Sequence, residues 1–140
     1  MVAGGTFLVQ HGVLPFLIVG PSITLGLLIA LFLWVNEFPD HAADMATGKR
    51  TLVVRLGRRK ASRVFFGMVC LAFLWLAALP WLECPKGVWC GFIAMPVATD
   101  AAWRMWTHFD DKGALVPVQW RALISFLLFS IGAGFGLMFF

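Results

Sequence analysis

The sequence predicts an all-α protein, a multi-span transmembrane helical bundle with about four full spans and an N-terminal helix stub. The first observation is composition. Of 140 residues, 61% are apolar, 15% aromatic and only 13% charged, which is too little polar surface to coat a soluble globule, so lipid is the expected solvent. The second is the spacing of charge. No Asp, Glu, Lys or Arg occurs before Glu37, from Val64 to Leu82, from Gly87 to Thr99, or from Ala122 to Phe140. A gap of about 19 residues, at about 1.5 Å per residue, reaches roughly 28 Å, close to the hydrocarbon thickness of a bilayer. The third is a marked asymmetry in where the basic residues fall.

In chain order, Met1 to His11 reads as the tail of a helix, because Gly4 and Gly5 interrupt it and Gly12 closes it before it can span. More chain upstream is therefore expected. No basic segment precedes an apolar core with a small-residue cleavage site, so no cleavable signal peptide is expected. Leu14 to Glu37 forms the next span, with a kink expected at Gly20-Pro21, where proline removes a donor and crowds the preceding turn. A polar stretch, Asn36 to Arg63, follows. The third apolar segment is Ser62 to Leu82, closed by a turn at Glu83-Cys84-Pro85-Lys86-Gly87. The fourth span is Val88 to Trp106, the polar loop His108 to Gly113 comes next, and Val118 to Phe139 is the last span.

Alternating spans place Lys49, Arg50, Arg55, Arg58, Arg59, Lys60, Arg63, Arg104, Lys112 and Arg121 on one side, and of the 11 Lys and Arg only Lys86 lies opposite. Cytoplasmic loops collect basic residues, so both polar loops are expected in the cytoplasm and the chain in the cell (inner) membrane. Trp34, Trp81, Trp89, Trp106 and Trp120 fall near expected span ends and fit interfacial anchoring. Gly132 and Gly136 form a GxxxG pattern that lets another helix approach closely. The three cysteines, Cys70, Cys84 and Cys90, are odd in number and lack metal-site spacing, which makes them packing residues or idle thiols.

The chemically informative segment begins at Asn36. Asn36, Asp40 and Asp44 recur every four residues, so on a continuing helix they project from one face. Pro39 argues for a bend or for a new helix starting there. Two carboxylates one turn apart repel unless a cation compensates, and Mg²⁺ is the natural partner because it takes one or two carboxylates together with phosphate oxygens. The basic run Lys49, Arg50, Arg55, Arg58 and Arg59 lies just beyond, where its side chains can pair with phosphate. Between Asn36 and Arg63, seven Lys and Arg stand against three carboxylates, a surplus equal to the net charge of +4 for the whole chain. An anionic substrate anchored in the membrane would be drawn there, and no nucleic-acid partner is expected. A helix end with mixed charges and no activity would look similar, so the case depends on a longer pattern.

That pattern, NEFPDHAADMATGKRTLVVRLG from Asn36 to Gly57, closely resembles the second aspartate motif of the UbiA prenyltransferase superfamily. The likeness is to the form N-x-x-x-D-x-x-x-D followed by G-K-R-T-L and R-L-G in menaquinone-type members. Gly5-Thr6 and Gln10 also resemble the family's helix end before this span. The resemblance implies a larger bundle of membrane helices around a central cavity, with Mg²⁺ bridging two aspartate motifs and a prenyl diphosphate. Carried over by residue, Asn36, Asp40 and Asp44 would be the metal set, Asp40 and Asp44 the catalytic pair, and Lys49 and Arg50 the diphosphate contacts. The implied reaction moves an isoprenoid chain to an aromatic acceptor, such as 1,4-dihydroxy-2-naphthoate in menaquinone synthesis.

The family's first motif, N-D-x-x-D-x-x-x-D, does not occur in this sequence. The resemblance therefore covers a C-terminal half, a single partial prenyltransferase-like domain over residues 1–140, and the isolated chain is expected to bind Mg²⁺ and diphosphate poorly. A truncated form is the favoured explanation; a split enzyme with a separate partner chain, or a homodimer in which two copies of Asp40 and Asp44 face each other, are the alternatives. Asp100 and Arg104, one turn apart, are expected to pair. His41 is expected to face solvent, and Asp110 and Asp111 to cap their loop. Phosphotransferases acting on CDP-alcohols also use spaced aspartates, but their D-G-x-x-A-R is absent. The non-enzymatic alternative is a membrane subunit or transporter-like fragment with a cation-binding loop.

Overall fold

The computed structural model describes residues 16–139, so the expected stub Met1 to His11, with Gly5, Thr6 and Gln10, lies outside the described residues. Helix α1 spans Phe16–Ala46, α2 is the short Leu52–Leu56, α3 spans Arg58–Ala78, α4 Met95–Thr107 and α5 Lys112–Phe139. Two 3-10 segments, Leu79–Leu82 and Lys86–Ala94, lie between α3 and α4. No strand occurs among the described residues, and the all-helical expectation holds.

Three segments, Phe16–Ala46, Arg58–Leu82 and Gly113–Phe139, are long and apolar enough to cross a membrane. Each buries one stripe at helical spacing. On α5 the stripe is Leu115, Val118, Ala122, Ser125, Phe129 and Ala133; on α3 it is Ala61, Phe65, Val69, Ala72 and Leu76. The opposite faces expose Leu33, Leu74, Ile131 and Phe135. A helix apolar on its outward face as well as its inward one is the pattern of a lipid-facing bundle.

The expected fourth span, Val88 to Trp106, is composite: a 3-10 stretch that passes into α4 at Met95. Two contacts fix its course. Arg58, at the start of α3, meets Asp110 just after α4, with Nη1 3.6 Å from Oδ1. At the far end of α3, the Cys84 amide donates to the Leu79 carbonyl at 3.2 Å, closing the turn that leads into Lys86. The 25-residue segment Arg58–Leu82 is about 37 Å long at 1.5 Å per residue, and the composite segment returns along it. The loops at residues 47–57 and 108–111 thus share one end of the bundle, as the charge distribution predicted.

The composite segment packs against α5 and against α3. A Cβ on Gly136 would overlap the Gly87 carbonyl, and one on Gly132 would overlap the Cys90 carbonyl and lie 2.9 Å from Ile93 Cγ2. On the other side of the crossing, a Cβ on Gly91 would lie 2.7 Å from the Phe129 ring. Glycines on both segments allow this close approach, and the GxxxG pattern is therefore used.

Helix α1 runs 9 residues beyond the expected end at Glu37 and passes through both Pro21 and Pro39 without ending. Nearby side chains tie down carbonyls at the first proline. Ser22 Oγ donates to the Ile18 carbonyl at 2.7 Å, and Trp75 Nε1 donates to the Gly20 carbonyl at 2.9 Å. Near the second, Arg58 Nη2 donates to the Phe38 carbonyl at 3.3 Å. These bonds anchor the helix around its prolines, although the carbonyls that Pro21 and Pro39 leave without an amide are those of Leu17 and Val35, four residues earlier.

Trp34 departs from its expected role, since it is 8% exposed and belongs to the core rather than to an interface. Trp103, Trp106 and Trp120 are exposed near the polar end, while Trp81 and Trp89 are exposed at the other end, edge to face with centroids 6.4 Å apart. The three cysteines are free thiols, with Cys84 buried and Cys70 and Cys90 exposed.

Candidate functional site

Because α1 continues to Ala46, Asn36, Asp40 and Asp44 sit at successive turns of one uninterrupted helix. Their surroundings differ. Asn36 is partly buried, Asp40 is exposed and Asp44 is 8% exposed. The helix ends in a Schellman turn: the Lys49 amide donates to the Asp44 carbonyl at 2.9 Å and the Gly48 amide to the Met45 carbonyl at 3.3 Å. Gly48 adopts φ +73°, the left-handed conformation that this turn requires and that glycine adopts without steric cost.

The turn decides where Lys49 goes. It folds the chain back over the last helical turn, so Lys49 Nζ lies 3.3 Å from Asp44 Oδ1 while the lysine side chain stays 68% exposed. Two residues five apart in sequence, one a candidate metal ligand and the other a candidate diphosphate contact, are thereby paired. Arg50 is exposed and points to no partner among the described residues.

Beyond Arg50, Thr51 caps α2, its hydroxyl accepting from the Val54 amide at 3.4 Å, and Glu37 Oε2 accepts from the Val53 amide at 3.4 Å. Glu37 thus ties the loop back to α1. Gly57, at φ +75°, turns the chain from α2 into α3. Arg58 uses its guanidinium on the Phe38 carbonyl and Asp110, which gives it a structural task within the basic run.

Asn36 faces α5. Gln119 Nε2 donates to Asn36 Oδ1 at 3.0 Å, and both line a hollow of about 260 Å³ with Phe32, Trp120 and Leu123. Gln119 was not singled out from the sequence, although a lone amide near the start of an apolar span is a recognisable signal, since such side chains seek partners across helices. Asp100 pairs with Arg104, Nε to Oδ2 3.0 Å, as expected, and also with Arg121 of α5. His41, expected to face solvent, is partly buried. Asp111 Oδ1 accepts from the Gly113 amide at 2.8 Å, the expected cap, whereas Asp110 serves Arg58 instead.

Among the described residues no three His, Cys, Asp or Glu side chains gather as a metal site. The structure sets Asn36, Asp40 and Asp44 at successive turns of one helix, with Gln119 and the hollow beside Asn36, Lys49 beside Asp44, and Arg50 apart.

The sequence pattern of the UbiA prenyltransferase family matches residues 1–131. Among curated proteins, a 1,4-dihydroxy-2-naphthoate octaprenyltransferase of Escherichia coli (strain K12) is 34% identical over 140 residues, which covers 94% of this chain and 44% of that protein. A second 1,4-dihydroxy-2-naphthoate octaprenyltransferase, from Haemophilus influenzae, is 29% identical over 139 residues, covering 92% of this chain and 43% of its own length. The chain therefore spans less than half the length of these relatives. No solved structure matches it.

Proposed function

This chain belongs to the UbiA prenyltransferase family, and we propose that it carries the second acidic motif of an enzyme that moves an isoprenoid chain from a prenyl diphosphate to an aromatic acceptor. The names of its curated relatives point to 1,4-dihydroxy-2-naphthoate as that acceptor and to menaquinone synthesis as the setting. The observation that carries the reading is the run of Asn36, Asp40 and Asp44 at the polar end of the longest apolar helix, with Lys49 folded back onto it.

Asn36, Asp40 and Asp44 would hold Mg²⁺. Amide and carboxylate oxygens are its preferred donors; because Asn36 and Asp44 stand about 12 Å apart along the helix, neighbouring members of the set would each supply an oxygen to an ion whose other places are filled by water and phosphate oxygens. When bound, the ion would neutralise charge on the departing diphosphate. Lys49 reaches the same carboxylate from outside and is exposed enough to turn to a diphosphate oxygen, with Arg50 as a second cation beside it. In the transfer, the allylic C–O bond breaks with its electron pair leaving on diphosphate. The allylic carbon then bonds to the electron-rich ring, which releases a cation, a proton in the simplest case.

The motif end of the bundle is read as cytoplasmic, in the cell (inner) membrane, because the basic residues concentrate there. The remaining oxygen ligands would come from a further polypeptide segment, from a partner chain, or from a second copy of this chain.

Calorimetric titration of the detergent-solubilised chain with farnesyl diphosphate tests the reading. Binding is expected with Mg²⁺ and is expected to fall by at least 10-fold in Asp40→Asn, since one carboxylate ligand is lost. Binding that is indifferent to both Mg²⁺ and Asp40 would sink it.

A further inference from the structure

Asp100, Arg104 and Arg121 form a charged cluster that the proposed function does not use. Asp100 Oδ2 accepts from Arg104 Nε at 3.0 Å and pairs with Arg121 Nε of the neighbouring helix α5, so one carboxylate holds two guanidiniums side by side. Both arginines use their Nε on it. Arg121 Nη1 donates to the Pro117 carbonyl at 3.0 Å, and among the described residues neither Nη of Arg104 nor Nη2 of Arg121 has a hydrogen-bond partner. All three side chains are partly exposed, and two cations on one anion leave one positive charge over.

Two segments independently fix the depth of this cluster. From Ala122 to Phe139, α5 carries no charge and is about 27 Å long. From Gly87 to Thr99 the composite segment carries none either and is roughly 24 Å long, at about 2.0 Å per residue in its 3-10 part and about 1.5 Å beyond. Both approach the hydrocarbon thickness of about 30 Å, so the cluster stands where hydrocarbon gives way to headgroups. Trp103 and Trp120, each adjacent in sequence to one of the arginines, are exposed there as interfacial tryptophans are. Gln119 and Arg121 lie about 200° apart around α5, one bonded toward α1 and the other toward α4, so the cluster is on the flank away from Asn36.

We propose that this cluster is a headgroup site for an anionic phospholipid. Asp100 aligns the two arginines, and their remaining Nη groups take the lipid phosphate, since paired N–H donors match phosphate oxygens and a phosphodiester monoanion neutralises the charge left over. The competing explanation is a closed ion pair that only joins α4 to α5. The inference stands independently of the proposed function.

Native mass spectrometry of the detergent-solubilised chain, with phosphatidylglycerol and phosphatidylcholine of the same acyl chains in equal amounts, separates the two. Phosphatidylglycerol is expected to be retained preferentially, and Arg104→Gln with Arg121→Gln to lower its affinity by about 5-fold per arginine. Arg121→Gln alone serves if the double variant does not fold. Lys60→Gln with Arg63→Gln removes two exposed charges from the same end of the bundle and is expected to leave the preference unchanged. Phosphatidylglycerol retained no better than phosphatidylcholine, as a closed pair or a face reserved for another polypeptide segment would give, overturns the inference. So does an equal fall in the variant of Lys60 and Arg63, which would assign the preference to overall charge.

Discussion

Lys49 occupies two roles that a single substitution separates. Its ammonium lies 3.3 Å from Asp44, yet 68% of the side chain faces solvent, where an ion pair contributes only about 0–1 kcal/mol. Lys49→Ala is therefore expected to shift the thermal midpoint very little. As a cation poised beside a metal-bound diphosphate it would matter more, and the same variant is expected to weaken farnesyl diphosphate binding several-fold at unchanged Mg²⁺ dependence. Equal loss of stability and binding would instead make the pair a structural latch. The residues proposed for this site could be picked out of the sequence because carboxylate spacing and the following G-K-R are local features. The Asp44–Lys49 contact was not, because it depends on the Schellman turn and the positive φ of Gly48, and neither was Gln119, whose partner lies on a helix remote in sequence.

At the scale of elements, the charge gaps located every apolar segment, but they could not give its helical type or its true end. Pro39 argued for a bend or a fresh helix start, whereas the helix continues unbroken to Ala46, with Phe38 and Asp44 buried and Arg58 bound to the Phe38 carbonyl. Val88 to Ala94 were expected to begin an ordinary helical span and belong instead to the 3-10 segment Lys86–Ala94, at the place where its backbone meets the glycines of α5. That meeting gives a graded test. Gly136→Ala would drive a methyl into the Gly87 carbonyl, and overpacking of that kind costs about 1–3 kcal/mol. Gly134→Ala, on the same helix with nothing within 4 Å of its new methyl, should be neutral or gain up to about 1 kcal/mol from helix propensity. Thermal unfolding in detergent measures both. Equal effects at the two positions would mean that α5 does not cross the 3-10 segment as closely as described.

For the molecule as a whole, the decisive feature is that the two charged loops meet at one end. A chain with only the three uninterrupted spans would put Lys86 and Asp110 on the same side of the membrane, because nothing between them would cross. Arg58 binds Asp110 at the head of α3 while Lys86 follows the foot of it, so the composite segment returns along α3 and is predicted to make the crossing expected of an unbroken helix. A 3-10 stretch rises about 2.0 Å per residue against about 1.5 Å for α-helix, so 9 residues of one and 13 of the other have ample length for a bilayer. Substituted-cysteine labelling makes this visible in a background where Cys70, Cys84 and Cys90 are serine. With an impermeant maleimide, Arg59→Cys and Asp111→Cys should both react in inverted vesicles, whose cytoplasmic face is outward, and Lys86→Cys only in right-side-out vesicles. If Lys86→Cys and Asp111→Cys react from the same face, the composite segment does not span. If all three exchange faces, the bundle is inverted and the acidic motif lies on the wrong side for a diphosphate supplied from the cytoplasm.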